Sequence, residues 1–275
     1  MKKGLLIGGS GFLGSHLLAA LREKGFDVYA IQNRQKISGI PKDKIIPGGI
    51  KAINKKLIDE LGPEFVFHTG RPVMPRWRGF GRKLAALKAV RYNRKLISEL
   101  NNSATKPTLI FASGSLMYGN SANAHDENSA LNPISFARQY YKGEIPVVEA
   151  AQKQSYPIKV FRLPWLLGNG SWFRWFYLEN IKTRKQIPAF GDTSNMMEII
   201  DVRDAVNLMI KISLESDDSG IFNIPAQKAI SQQQFLNELS EFSGVEITDY
   251  KNIYPGKVER EVLEAYTSNI LIKTK

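Results

Sequence analysis

The chain has 275 residues, with 38 Lys and Arg against 26 Asp and Glu, a formal charge of +12; it is long enough to bury one large core or two modest ones. It has no cysteine, which excludes a disulfide framework, a thiolate metal site and a thiol nucleophile and fits a reducing, cytoplasmic setting. No apolar run approaches the ~20 residues of a membrane span.

Met1-Lys2-Lys3 followed by Gly4-Leu5-Leu6-Ile7 has the outline of a secretory leader. The run breaks at Gly8-Gly9-Ser10-Gly11 and charge returns at Arg22-Glu23-Lys24, so it reads as folded chain instead. Residues 3–7 predict a strand. Residues 15–24 predict a helix with Leu17, Leu18 and Leu21 on one face, and residues 28–31 a second strand after the turn at Gly25. Residues 54–61 look helical and stop at Gly62-Pro63. A strand over 65–68, a long amphipathic helix over 83–100 and a strand over 108–112 follow. A helix is expected over 144–154, starting near Pro146 because proline favours a first turn, then a strand over 158–161. Strands alternating with helices imply crossover units and a mainly parallel sheet.

Beyond Pro164 the pattern loosens into the aromatic run Trp172-Phe173-Arg174-Trp175-Phe176-Tyr177, a helix over 204–214, a strand over 220–224 and a capped helix over 231–242. With no repeat and no long linker, the expected organisation is one α/β domain over 1–165, with 196–224 returning to it. A smaller interleaved C-terminal domain takes 166–195 and 225–275.

Gly8, Gly11 and Gly14 stand three apart between a strand and a helix. Glycine lets the backbone turn tightly and approach an anion. The helix that follows presents free N–H groups and its positive dipole end. This is the arrangement of a pyrophosphate site in a doubly wound Rossmann sheet, and it predicts a bound nicotinamide dinucleotide.

The segment from Gly8 to Leu17 resembles the signature of the extended short-chain dehydrogenases/reductases, the NAD-dependent epimerase/dehydratase-like enzymes. Further matches follow in order: Phe65-Val66-Phe67-His68, Asn93 on the long helix, Phe111 to Gly119, Arg162 to Gly168, and Ile200 to Ala205. The resemblance implies cofactor contacts at Phe12, Leu13, Thr69, Gly70, Arg71, Leu163, Pro164 and Trp165. It also implies a homodimer formed through the two long helices.

A carboxylate at the end of the second strand would bind the adenosine ribose diol and repel a 2′-phosphate. Here Gln32, Asn33, Arg34, Gln35 and Lys36 stand instead, which favours NADP while leaving NAD open. The family often has Asp where this chain has Gly49, so adenine contacts fall to backbone and Ile50. From Arg71 to Lys95 there are nine cations and no acid: Arg71, Arg76, Arg78, Arg82, Lys83, Lys88, Arg91, Arg94 and Lys95. The first three can meet a phosphate; the rest face solvent or a partner. The expected partner is a small anionic or phosphorylated substrate. Nucleic acid is not expected, because no RNA or DNA module accompanies the charge, and neither is a membrane.

The family's chemistry uses Ser or Thr, Tyr, and Lys four residues after the Tyr. No tyrosine in this chain has lysine four residues later. Aligned by Pro133 and Glu144, Phe136 and Tyr140 hold the two places; aligned by Glu149, Tyr141 and Ile145 do. The serine position falls on Gly114, between Ser113 and Ser115. The remaining chemically capable groups are Ser113, Ser115, Tyr140, Tyr141 and Lys142, with Arg138 or Lys142 as the cation beside a phenol. His16, His68 and His125 read as packing or loop residues. Trp172, Arg174, Trp175, Lys182, Arg184 and Lys185 either supply substrate specificity or, for the rings, fill a core. No metal site is expected. Two functions stay open: an NAD(P)-dependent oxidoreductase or epimerase/dehydratase acting on a polar, nucleotide-linked sugar-type substrate, or a non-catalytic dinucleotide-binding regulator or scaffold.

Overall fold

The computed structural model describes residues 1–72, 80–153, 156–256 and 260–275. In chain order its strands are β1 (Lys3–Ile7), β2 (Asp27–Gln32), β3 (Ile45–Pro47), β4 (Phe65–His68), β5 (Thr108–Gly114), β6 (Ile158–Leu163), β7 (Trp165–Leu167), β8 (Gln186–Ala189), β9 (Met196–Asp201), β10 (Gly220–Asn223), β11 (Ala229–Ser231) and β12 (Glu246–Asp249). Its helices are α1 (Phe12–Glu23), α2 (Lys55–Leu61), α3 (Phe80–Asn101), α4 (Arg138–Gln152), α5 (Glu179–Arg184), α6 (Val202–Glu215), α7 (Gln232–Ser243), α8 (Tyr250–Ile253) and α9 (Arg260–Thr267).

Seven strands form one sheet in the order β10-β6-β5-β4-β1-β2-β3. The pairs β1–β2, β1–β4, β2–β3 and β4–β5 are parallel, with Gly4 opposite both Val28 and Phe65. Helices cover such a sheet on both faces, so its central strands are buried along their length: all four residues of β4 and all six of β6 are buried, His68, Lys159 and Arg162 among them. Leu5, Val66, Leu109 and Ile158 have no exposed surface and meet Leu96, Leu100 and Val147 of α3 and α4. Each such side chain contributes ~1.5–3 kcal/mol over its exposed state. The doubly wound α/β class expected from the sequence is the observed one.

The chain divides into two compact units. One holds Met1–Ser113, Gln139–Arg162 and Arg203–Phe222; the other holds Gly114–Arg138, Leu163–Val202 and Asn223–Lys275. The second contains the three-stranded sheet β11-β9-β7 and the pair β12–β8. Its core is aromatic: Phe190 stacks on Tyr266 at 4.3 Å, and Trp172, Tyr177 and Phe235 lie edge to face around it. Gln232, fully buried, ties this unit together. Its Oε1 accepts the Phe190 N–H, and its Nε2 donates to the carbonyls of Phe190 and Tyr266 and to Asn195 Oδ1.

Several helices start earlier than expected, α3 at Phe80 and α6 at Val202 among them, and two of these starts have a physical reason in the packing. α1 begins at Phe12, so Gly14 lies inside it. Glycine disfavours helix interiors by about 1 kcal/mol, but here its missing Cβ is what lets α1 approach the strand. α4 begins at Arg138, eight residues before the proline expected to start it. Pro146 costs this helix a hydrogen bond, and contacts with α3 hold the preceding turns. Other local signals act as read: Asn54 caps α2 by accepting the Leu57 N–H, and Ser231 with Gln234 forms a capping box on α7.

Candidate dinucleotide and catalytic site

The strand order reverses between β1 and β4, and open α/β sheets take ligands in the crevice at such a point, beyond the strand carboxyl ends. Gly8 follows β1 with φ +93°, and a Cβ there would lie 2.5 Å from the Gly70 nitrogen. A Cβ on Gly14 would lie 2.0 Å from the Gly8 carbonyl oxygen. These two glycines are demanded by packing. Gly11 differs: it is exposed, has ordinary φ as the N-cap of α1, and a Cβ there would meet only the Gly8 oxygen, at 3.3 Å. It opens toward solvent ahead of a helix with no side-chain cap and no acid in its first turn. Free N–H groups, a positive dipole end and a space that a side chain would fill suit a pyrophosphate. Phe12 and Leu13 form the half-buried first turn beside it.

At the end of β2, the Gln32 Oε1 accepts the Ile37 N–H at 2.9 Å, so this side chain closes its own loop. Asn33 lies against Gly49, whose φ of +65° and 3.2 Å clearance explain the glycine. Arg34 and Lys36 are exposed, Ile50 is half-buried, and residues 32–41 contain no carboxylate.

Beyond β4, Thr69 donates through both its N–H and Oγ1 to the Ile7 carbonyl. A polar chain then crosses three elements. The Gly70 N–H donates to His68 Nδ1, which leaves the proton on Nε2 to donate to Asn93 Oδ1 at 3.2 Å; Asn93 Nδ2 donates to the Gly143 carbonyl at 2.7 Å. Burial holds the His68 imidazole down to about 4, against a weaker upward pull from Asn93. It is therefore neutral at ordinary pH and acts as a strut between the β4 end, α3 and α4. Sequence reading placed His68 and Asn93 but not this link. Gly143 allows it, since a Cβ there would sit 2.6 Å from that of Ala89.

Ser113, at the end of β5, donates to Glu144 and accepts from Arg162 Nη1 at 2.6 Å; Arg162 also pairs directly with Glu144. The Arg162 side chain is fully buried and that of Glu144 is 2% exposed. Burial outweighs the adjacent guanidinium and Ser113 and holds the Glu144 carboxyl above its usual range. The sequence carried one signal for this pair: a cation inside the apolar run Val160-Phe161-Arg162-Leu163 needs a buried partner. Tyr140 and Tyr141 are half-buried and Lys142 is exposed. The cation on Tyr140 is Arg71, with its guanidinium 4.7 Å from the ring centre. Arg138 donates to the Pro133 carbonyl at 3.4 Å. Arg76, Trp77 and Arg78 lie outside the described residues.

In the second unit, Ser115 is buried and its carbonyl accepts the Tyr118 N–H; the Tyr118 ring stacks on His125. Leu163 and Pro164 are buried, while Trp165 packs on Trp172 and Tyr266. Trp172 thus belongs to the core, whereas Trp175 is 63% exposed with Arg174 over its ring. Lys182, Arg184 and Lys185 are exposed, and Arg184 stacks on Tyr254. Among the described residues, no three His, Asp or Glu are placed to hold a metal ion, and no helix is long and apolar enough to cross a membrane.

Residues 5–224 match the model of the NAD dependent epimerase/dehydratase family. Among solved structures, the chain is similar to an NAD dependent NDP-hexosamine 5,6-dehydratase of tunicamycin biosynthesis (19% identity, TM-score 0.75, 97% of this chain and 96% of that one). It is also similar to the UDP-glucose 4-epimerase of the hyperthermophilic eubacterium Thermotoga maritima (19%, 0.75, 98% and 89%). A third is the UDP-N-acetylglucosamine 4-epimerase of Methanobrevibacter ruminantium M1 (19%, 0.75, 100% and 90%). At this identity the likeness concerns the fold. No curated protein matches the chain in sequence.

Proposed function

Because this chain belongs to the NAD dependent epimerase/dehydratase family, a family of enzymes, we propose that it is itself an enzyme acting on a nucleotide-linked sugar, with NADP(H) preferred over NAD(H). The observation that carries this is the glycine cradle: Gly8 and Gly14 packed tight, and Gly11 open before an uncapped helix. Gly8, Gly11, Phe12, Leu13, Gly14, Thr69 and Gly70 would hold the pyrophosphate edge, and Gln32, Asn33, Arg34, Gly49 and Ile50 the adenosine end. When bound, a nicotinamide dinucleotide accepts or returns a hydride. The chain's own task is the proton. Tyr140 or Tyr141 is the donor, with Arg71 as the neighbouring cation in place of a lysine, and Ser113 fixes the position of the β5 end. The second unit would supply substrate contacts. Two copies would pair through the groove of α3 and α4, where Leu87 is 67% exposed; sedimentation of a Leu87→Glu variant tests this, and an unchanged oligomer refutes it.

Calorimetry on the two cofactors tests the main reading. A charge-assisted contact to a 2′-phosphate adds about 1.5–3 kcal/mol, roughly tenfold to a hundredfold in affinity. Arg34→Ala should lose that margin for NADPH alone, and Gly11→Val should fold but bind neither cofactor. Tighter NADH binding sinks the NADP preference; normal affinity in Gly11→Val sinks the cradle. With UDP-sugars as probes, Tyr140→Phe or Tyr141→Phe should lose about 100-fold in turnover.

A second reading, a dinucleotide-binding protein without catalysis, has its own support. No tyrosine has lysine four residues on, and the Ser113 hydroxyl is engaged by Glu144 and Arg162. Cofactor binding without turnover of any UDP-sugar would favour it.

A further inference from the structure

We propose a second anion site on the first unit, in the concavity between the turn Gly49–Ala52 and the outer face of α3, which takes a small polyphosphate-bearing molecule. The concavity measures about 440 Å³ and is lined by Lys51, Lys88, Arg91, Tyr92 and Lys95. That volume is in the range of small-molecule sites. Four of the five lining residues are cations, all exposed, around a half-buried phenol ring, with no carboxylate among them.

The helix period creates this face: 88, 91, 92 and 95 stand at i, i+3, i+4 and i+7. They extend over about 10 Å at 1.5 Å per residue, so the charge forms a line suited to several phosphates and not to one carboxylate. The one acid of α3, Glu99, is not among the lining residues; its carboxylate accepts the Lys55 N–H at 2.7 Å. Cations this close repel one another, and a polyanion converts that repulsion into attraction. Arg91 can present a two-pronged contact to phosphate, the lysines act as point charges, and the Tyr92 ring offers a face to a sugar or base. None of the lining residues is among those assigned to the cofactor, but Lys51 directly follows Ile50 of the adenosine end, so competition by NADPH is the result that tells the two sites apart. The inference does not rest on the catalytic reading.

Adenosine triphosphate and inorganic tripolyphosphate serve as probes, titrated into protein saturated with NADPH and into Gly11→Val. Both probes should bind in both settings, with affinity falling as salt rises. Arg91→Glu with Lys95→Glu should weaken binding by at least about tenfold while leaving NADPH binding and the melting temperature unchanged. Lys51→Glu, on a turn outside the helix, repeats the test should the helix variant fold poorly. Four results would overturn the proposal: no binding of either probe, loss of binding in Gly11→Val, competition by NADPH, or indifference to both charge reversals. Stronger binding of a single-stranded oligonucleotide at equal phosphate would also overturn it and reassign the surface to nucleic acid.

Discussion

The two units solve the problem of a fixed interior with different chemistry. The first holds its sheet edge by backbone contact and buried polar groups: Gly14 against the Gly8 carbonyl, the strut from Gly70 through His68 and Asn93 to Gly143, and Arg162 with Glu144. The second fills itself with rings and ties them with one amide, Gln232. Polar interiors cost desolvation but fix direction; aromatic interiors add area without aiming any group at a ligand. The contrast separates the two interiors: the directed polar groups lie at the strand ends of the first unit, and the rings fill the second.

The largest test of this contrast is Arg162→Met. It strands a buried carboxyl and should cost about 3–5 kcal/mol in denaturant unfolding, whereas Glu144→Met with Arg162→Met should recover most of that loss. A loss below about 1 kcal/mol would mean that the first unit does not lean on this pair. In the second unit, Gln232→Leu should cost about 2–4 kcal/mol, because it leaves buried backbone groups of Phe190 and Tyr266 without their bonds. Equal stability would show that the rings alone suffice.

Burial moves one histidine of the first unit and one carboxyl of the second in opposite directions. Burial holds His68 down to about 4, so the stability it contributes is present above pH 6.5 and is lost as pH falls through 4. Burial pushes Glu198, in the second unit, up to about 7. Its contribution is present below pH 4.5 and is lost as pH rises through 7, at most about 3 kcal/mol. Melting at pH 4 and pH 8 should therefore show Glu198→Gln more stable than the parent at pH 8 only. The same gain at both pH values would dismiss the titration. Smaller still, Gly143→Ala crowds Ala89 and should cost about 1–3 kcal/mol; a neutral result would mean that α3 and α4 can part freely.

What the sequence disclosed follows from the range of each interaction. The spacing of Gly8, Gly11 and Gly14 is local, and so was readable, as were the apolar strands and the caps at Asn54 and Ser231. The early start of α4 was not, because the contact that outweighs Pro146 comes from Asn93 and Ala89 on another helix. Glu144 and Arg162 are eighteen positions apart, and only the oddity of a buried arginine hinted at a partner. Arg71 was placed near phosphate but not on Tyr140, a contact that spans two crossovers. The rings from Trp172 to Tyr177 read equally as pocket or core, since packing and stacking use the same residues; the fold puts Trp172 and Tyr177 inside and leaves Trp175 out.

The division of the chain into units carries a consequence for its synthesis. The backbone passes from one unit to the other after residues 113, 138, 162, 202 and 222. The edge strand β10 joins β6 in the seven-stranded sheet, yet β7, β8 and β9 are made between them. A nascent chain leaving the ribosome therefore cannot finish its first sheet before most of the second unit has emerged. The open flank of β6 stays a template for stray pairing until then. A cut after residue 113 leaves all of the second unit on one fragment, and a cut after 222 all of the first, but each such fragment also carries segments of the other unit, so no single cut at a crossing frees either unit alone.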